Sequence, residues 1–217
     1  MFTGIVETVG LVVAIEPRNG DWRLRINTAA MDLSNVHVGD SIATNGVCLT
    51  VVDLPGDGFW ADVSAETLGV TTMAAWQPNI VVNLEKALTP STPIGGHIVS
   101  GHVDGVAEVV KRQNDGRSQQ FTLKVPLPLA KYIAQKGSIT LDGVSLTVNA
   151  VNKCHFDVNI VPYTLANTVI ADYQPGALVN MEVDLLARYV ERLVLGEQTS
   201  PGGLTTAFLH EHGFFQK

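Results

Sequence analysis

Two short runs carry the chemistry of this chain. Gly46-Val47-Cys48-Leu49-Thr50-Val51 returns as Gly143-Val144-Ser145-Leu146-Thr147-Val148, at an offset of 97 residues. Alternate side chains of a β-strand share a face. Val47, Leu49 and Val51 therefore point one way, as do Val144, Leu146 and Val148, and these uniformly apolar faces belong in a core. Cys48 and Thr50 point the other way, as do Ser145 and Thr147. A thiol or hydroxyl with a second hydroxyl two residues on supplies donors and acceptors suited to the edge of a small ligand. His102 adds a group that can move a proton near neutral pH. It follows the repeated glycine Gly101 and stands where the first copy has Ile5. Lys136 likewise stands opposite Gly39, and Asn159 opposite Asp62. The copies share their apolar positions and differ at polar ones, as two sites would that hold similar ligands in different roles.

Other signals exclude chemistry. His97 and His102 are five residues apart, so on one strand they face opposite ways and do not converge on a metal. Gly95, Gly96 and Gly101 do not spell the dinucleotide-binding fingerprint, and no Walker motif occurs. His210-Glu211-His212 reads as a solvated stretch of the tail. A net charge of −7 argues against nucleic acid, which wants a basic footprint. No apolar run approaches the roughly 18 residues of a membrane span. Met1-Phe2-Thr3-Gly4-Ile5-Val6 lacks the basic start and apolar stretch of a signal peptide, so a cytosolic protein is expected. Cys48 and Cys154 are not repeat equivalents and give no disulfide framework.

The same register joins Thr3-Gly4-Ile5-Val6 to Ser100-Gly101-His102-Val103, Glu66-Thr67-Leu68 to Tyr163-Thr164-Leu165, and Val82-Asn83-Leu84-Glu85 to Val179-Asn180-Met181-Glu182. A period this long means two tandem domains, over residues 1–96 and 97–184, with a tail over 185–217. Each domain is long enough to bury its own core. The first copy reads as strands over 4–15, 22–27, 41–43, 47–54, 59–63 and 80–85. Asn45-Gly46, and Asp142-Gly143 in the second copy, mark hairpins. Short helices are expected over 28–33 and 66–75. About six strands per unit suggest a small closed antiparallel barrel, because closure removes edge strands. In the tail, Leu185, Leu186, Tyr189, Val190, Leu193 and Val194 recur at helical spacing, with Gly196 expected to end the helix. Its apolar stripe packs either on its own barrel or against other subunits.

Several runs together resemble riboflavin synthase: Met1 to Glu7, Asn45 to Val51, Glu66-Thr67-Leu68, Gly95 to Gly105, Lys136-Gly137-Ser138, Asp142 to Val148 and Pro162-Tyr163-Thr164-Leu165. The likeness runs in order from Met1 to about Leu193. It implies an all-β protein of two six-stranded antiparallel Greek-key barrels with a C-terminal helix, assembled as a homotrimer. It implies dismutation of two molecules of 6,7-dimethyl-8-ribityllumazine into riboflavin and 5-amino-6-(D-ribitylamino)uracil, the last step of riboflavin biosynthesis. No cofactor or metal is expected; lumazine and riboflavin are the ligands, and lumazine synthase is a further partner to consider. The family's active site lies between the first barrel of one subunit and the second barrel of its neighbour.

Carried over residue by residue, the resemblance places Gly4, Ile5, Val6, Ser41, Cys48, Leu49, Thr50, Asp62, Val63, Ser64, Ala65, Glu66 and Thr67 at the first barrel's site, joined by Phe2. It places Gly101, His102, Val103, Lys136, Ser145, Leu146, Thr147, Val161, Pro162, Tyr163, Thr164, Leu165 and Ala166 at the second's. Asp184 matches a further active-site position. His102, Ser41, Cys48, Ser145, Thr147 and Asp184 are the catalytic candidates, with His102 the base. Gly69 departs from the family, where a basic residue often follows Glu-Thr-Leu. A carrier or optical antenna on the same barrels is the alternative. It would hold one fluorophore and turn nothing over, and the polar residues kept in both copies favour the enzyme. A flavin reductase module would need a nucleotide-binding partner domain.

Overall fold

The structure, a computed structural model, describes residues 1–197. Met1–Leu185 form one compact unit containing both repeats, and Leu186 onward belongs to a second. The first repeat supplies β1 (Thr8–Arg18), β2 (Asp21–Asn27), β3 (Ser41–Thr44), β4 (Val47–Asp53), β5 (Gly58–Val63), helix α1 (Ala65–Val70) and β6 (Val81–Lys86). The second supplies β7 (Gly105–Asp115), β8 (Ser118–Lys124), α2 (Leu127–Ala130), β9 (Ser138–Leu141), β10 (Val144–Asn152), β11 (His155–Ile160), α3 (Pro162–Asn167) and β12 (Leu178–Val183). Helix α4 (Leu185–Glu197) follows.

Each repeat closes its own six-stranded antiparallel barrel. The neighbours run β1-β2-β5-β4-β3-β6 in the first, and the second has the same order six strands on. The strands close because their inward residues are large and apolar. Leu24, Ile26, Ile42, Leu49, Val51, Phe59 and Leu84 fill the first core; Leu123, Ile139, Leu141, Val148, Phe156, Val158 and Met181 fill the second. Burying each such side chain contributes about 1.5–3 kcal/mol. The expected alternation holds on β4: Val47, Leu49 and Val51 are 4%, 3% and 0% exposed, while Cys48 is half-buried and Thr50 exposed.

Four expectations about elements change. Residues 28–33 are not helical. The amide of Ala29 donates to Asn27 Oδ1 at 3.0 Å, and Ala29 has φ +51°, which a right-handed helix cannot absorb. Residues 66–75 split into α1 and a 3-10 turn, Thr72–Ala75. The break is Thr71, with extended backbone. Its hydroxyl donates to the Thr67 carbonyl at 2.7 Å and accepts the Met73 amide at 3.2 Å. The first strand begins at Thr8 rather than at residue 4. Helix α4 runs through Gly196. The His210-Glu211-His212 stretch lies outside the described residues. Among the described residues, no helix is long and apolar enough to cross a membrane.

The barrels pack about an approximate two-fold axis. Gly46 and Gly143 meet back to back, and a Cβ on Gly46 would lie 2.7 Å from the Gly143 nitrogen. Asn83 Nδ2 donates to the Asp142 carbonyl at 2.8 Å, and Asn180 Nδ2 to the Asn45 carbonyl at 2.9 Å. Their Oδ1 atoms accept amides across the interface, Val169 at 2.9 Å and Thr72 at 2.7 Å. One pair breaks the symmetry. Asn45 becomes Asp142 in the second copy, and Trp76 becomes Tyr173, whose hydroxyl donates to the Asp142 carboxylate. Burial pushes the Asp142 carboxyl up to about 7, and the Tyr173 hydroxyl well above its ordinary value.

Candidate functional site

The segments preceding β1 and β7 build the site. They meet in one short bridge, Phe2 N to Val99 O at 2.7 Å and Val99 N to Phe2 O at 3.1 Å. Each is held by a buried carboxylate of its own barrel. Glu85 accepts the Thr3 amide at 2.6 Å, the Thr3 hydroxyl at 2.7 Å and the Gly4 amide at 3.0 Å. Glu182 accepts the Ser100 amide at 2.6 Å, the Ser100 hydroxyl at 2.8 Å and the Gly101 amide at 2.9 Å. Burial pushes both carboxyls up, against the pull of these donors.

Each segment then crosses to the other barrel. The Gly4 carbonyl accepts the Ser145 amide at 2.8 Å, and the Gly101 carbonyl accepts the Cys48 amide at 2.9 Å. Val6 packs against the second core and Val103 against the first. The crossing demands glycine twice over. Gly4 and Gly101 have φ +74° and +80°, and a Cβ on them would lie 2.6 Å from Ser145 Cβ and 2.7 Å from Cys48 Cβ. This corrects the grouping that the resemblance implied. Gly4 lies beside Ser145 and Gly101 beside Cys48, with Val6 and Val103 following them onto the opposite cores, while Ile5 shares a cavity with Ser41 of the first barrel. Phe2 is fully buried with Ala43 and Val99, a support of the site rather than a wall.

On the first face, β3 and β4 set Ser41 opposite Thr50 and Ala43 opposite Cys48. Asp62 is exposed on β5, 4.0 Å from the Arg23 guanidinium, which lies over Trp60 at 5.2 Å. Ser64 caps α1 by accepting the Thr67 amide at 3.2 Å. Ala65 and Glu66 are exposed in the first turn of α1. His102 is exposed at the rim. The side chains of Leu49 and Val63 point into the barrel, so only their backbone can line this face.

On the second face, Ser145 is half-buried and Thr147 exposed, opposite Thr140 and Ser138. Leu146 and Leu165 pack toward the second core. Lys136 keeps the positive φ of its counterpart Gly39, +66° against +100°, and its amide donates to the Val148 carbonyl at 2.7 Å. Val161 precedes α3 and Pro162 opens it, where a missing amide costs nothing. Thr164 stands in the place of Thr67, and Tyr163 and Ala166 are exposed.

His97 was missed as a site residue. Its Nδ1 lies 2.7 Å from Ser145 Oγ and its Nε2 3.3 Å from Thr140 Oγ1. Burial holds its pKa below the ordinary value, while the negative charge of Asp184 works the other way. His97 belongs to the connection between domains, so comparing the copies gives it no partner. The adjacent Gly95-Gly96 pair was the available signal. Among the described residues, no group of three or more His, Cys, Asp or Glu side chains could hold a metal ion.

Each face is thus a shallow strand surface carrying small hydrogen-bonding groups, edged by a segment from the opposite half. Two such faces can present two flat ligands in similar poses with different neighbours. The lumazine binding domain model matches twice, over residues 3–87 and 100–184. A riboflavin synthase of Photobacterium phosphoreum is 48% identical over 216 residues, covering 99% of each chain. That of Brucella abortus is 48% identical over 198 residues, covering 89% of this chain and 98% of its own. That of Bacillus subtilis is 37% identical over 216 residues, covering 99% and 100%. Among solved structures, LumP complexed with riboflavin superposes with a TM-score of 0.77 at 26% identity, over 85% of this chain and 100% of that one. LumP complexed with 6,7-dimethyl-8-(1'-D-ribityl) lumazine gives 0.76 at the same identity.

Proposed function

The chain belongs to the riboflavin synthase family, and from that premise we propose that its two strand faces each hold one 6,7-dimethyl-8-ribityllumazine and pass a four-carbon unit between them. The products are riboflavin and 5-amino-6-(D-ribitylamino)uracil. One ring gains what the other loses, so the reaction needs no external oxidant. The C7 methyl of lumazine is acidic because the heterocycle delocalises the resulting anion. On the Cys48 face, His102 is the proton acceptor, with Ser41, Cys48 and Thr50 hydrogen-bonding the ring. On the Ser145 face, Ser145 and Thr147 serve the second ring, with Lys136 and Asp184 at its edge. The protein contributes mainly orientation, worth about 7–11 kcal/mol in favourable cases, and donors placed where charge develops.

The observation that carries this reading is the paired geometry: both copies keep a polar pair on an outward strand and a crossing glycine segment beside it. A carrier needs one such face, and riboflavin and lumazine complexes of LumP are the precedent for that alternative. We place the enzyme in the cytosol, where Cys48 and Cys154, both free thiols, stay reduced. We further infer that reacting faces come from different chains of a homotrimer. The exposed stripe Leu186, Tyr189, Val190 and Leu193 on α4 is the joining surface.

Complementation tests this arrangement. His102→Ala impairs the Cys48 face and Ser145→Ala the Ser145 face. When the two variants are unfolded together and reassembled, some mixed sites carry two intact faces, and riboflavin formation is expected to exceed that of either variant alone. No gain on mixing would contradict faces drawn from different chains.

A further inference from the structure

We propose that His97 is a positioning residue for the Ser145 face: its imidazole, protonated on Nδ1, turns the Ser145 hydroxyl into a fixed hydrogen-bond donor toward the bound heterocycle. The proposal rests on the paired-face reading above and adds a residue to it. Three side chains form a chain of contacts, with Thr140 Oγ1 3.3 Å from His97 Nε2 and His97 Nδ1 2.7 Å from Ser145 Oγ. Thr140 and Ser145 are cross-strand partners on β9 and β10, so both side chains rise on one face, and the imidazole covers Thr140.

The direction of the chain follows from burial. Thr140 is 1% exposed, and a hydroxyl this buried is expected to give its proton to an acceptor. Nε2 is the acceptor in reach. A neutral imidazole that accepts at Nε2 donates from Nδ1. Burial lowers the His97 pKa, which favours the neutral ring over the pull of Asp184. The Nδ1 proton then occupies a lone pair of Ser145 Oγ, and the serine hydrogen is left to point outward.

The first copy has no such chain. The counterparts of Thr140 and Ser145 are Ala43 and Cys48, also cross-strand partners, which pack against the apolar Phe2 and Val99. The asymmetry is therefore built in at three positions. His97 itself is anchored by its amide, which donates to the Thr3 carbonyl at 3.1 Å. Gly96 lets the connection lie this close, since a Cβ there would meet Thr3 O at 2.3 Å and Ser145 Oγ at 2.8 Å. Loss of a methyl proton and attack by a nucleophile both leave extra electron density on a lumazine ring. A donor fixed before the reaction stabilises either state without reorganising.

The test is a double-mutant cycle in the full chain, read as steady-state conversion of lumazine to riboflavin. His97→Leu is expected to lower kcat about tenfold, with KM moving by less than about threefold. His97→Asn, whose amide nitrogen can donate from nearly the Nδ1 position, is expected to recover most of that loss. In a Ser145→Ala background, adding His97→Leu is expected to cost less than about twofold more, because the effect travels through the serine. Wild-type kcat in His97→Leu, or the same loss in both backgrounds, would overturn the proposal. Histidine ¹⁵N NMR of the unmutated protein gives a readout independent of turnover and of variant folding. A neutral His97 with the proton on Nδ1 is expected, and a proton on Nε2 would overturn it. Failure of the paired-face reading looks different, since the unmutated chain would then form no riboflavin whatever the state of His97.

Discussion

The Cys48 amide donates to the Gly101 carbonyl at 2.9 Å, tying the ligand-facing strand of one domain to the entry segment of the other. The Ser145 amide makes the equivalent bond to Gly4 at 2.8 Å. Each face is therefore completed by the half of the chain that does not form its barrel, and each site needs residues of both domains.

Gly101→Ala tests the crossing. A Cβ there meets Cys48 Cβ at 2.7 Å and Phe2 at 2.8 Å, at φ +80°. The left-handed backbone alone costs about 1–2 kcal/mol for a residue with a side chain, and the clash adds to it. Gly20→Ala, at φ +99° with nothing within 4 Å, isolates the backbone cost. Urea unfolding is expected to rank Gly101→Ala as clearly the less stable, with weakened lumazine binding. Equal stability of the two variants would mean that the segment is not pinned to Cys48.

Asp142 predicts a pH signature. Its carboxyl sits near 7 when folded, above an ordinary value of 3.8. The folded protein thus holds a proton that the unfolded chain releases. The stabilisation is complete below about pH 4 and is lost as pH rises toward 7, at no more than about 1.4 kcal/mol per pH unit. Asp142→Asn, which restores the residue of the first copy, has no carboxyl to titrate. The stability difference, variant minus wild type, is expected to grow in the variant's favour from pH 4 to 7 and then level off. A flat difference across that window would contradict a protonated Asp142.

A fragment of residues 1–90 is expected to fold, because β1 to β6 close a barrel around their own core. It lacks Gly101 to Val103, which edge the Cys48 strand. The pseudo-symmetry lets Gly4 to Val6 of a second copy take that place, with Ile5 where His102 stood. Gel filtration should show a dimer that binds lumazine by fluorescence but makes little riboflavin. A monomer with undiminished lumazine affinity would contradict the exchange of segments.

The strand alternation at Val47 to Val51 and Val144 to Val148 was legible because burial on one face leaves a period of two in the sequence. The repeat revealed both barrels for the same reason, since apolar positions are what closure constrains. The exchange of Gly4 and Gly101 between barrels left no such trace. Aligning the copies says which residues are equivalent, and says nothing of which barrel each segment touches. The break at Thr71 could not be read because the contact that holds the chain just beyond it, the Thr72 amide donating to Asn180 Oδ1 at 2.7 Å, comes from the other domain. His97 escaped because its partners, Thr140 and Ser145, are distant in sequence and its own position lies between the copies.

The two faces are expected to carry two lumazines into one reaction. The most direct measurement is a time course with purified protein and 6,7-dimethyl-8-ribityllumazine alone, following lumazine loss and riboflavin emission together. Riboflavin is expected to appear without added cofactor, one molecule for every two lumazines consumed. Lumazine that binds, fluoresces and persists without yielding riboflavin would contradict it and leave a carrier.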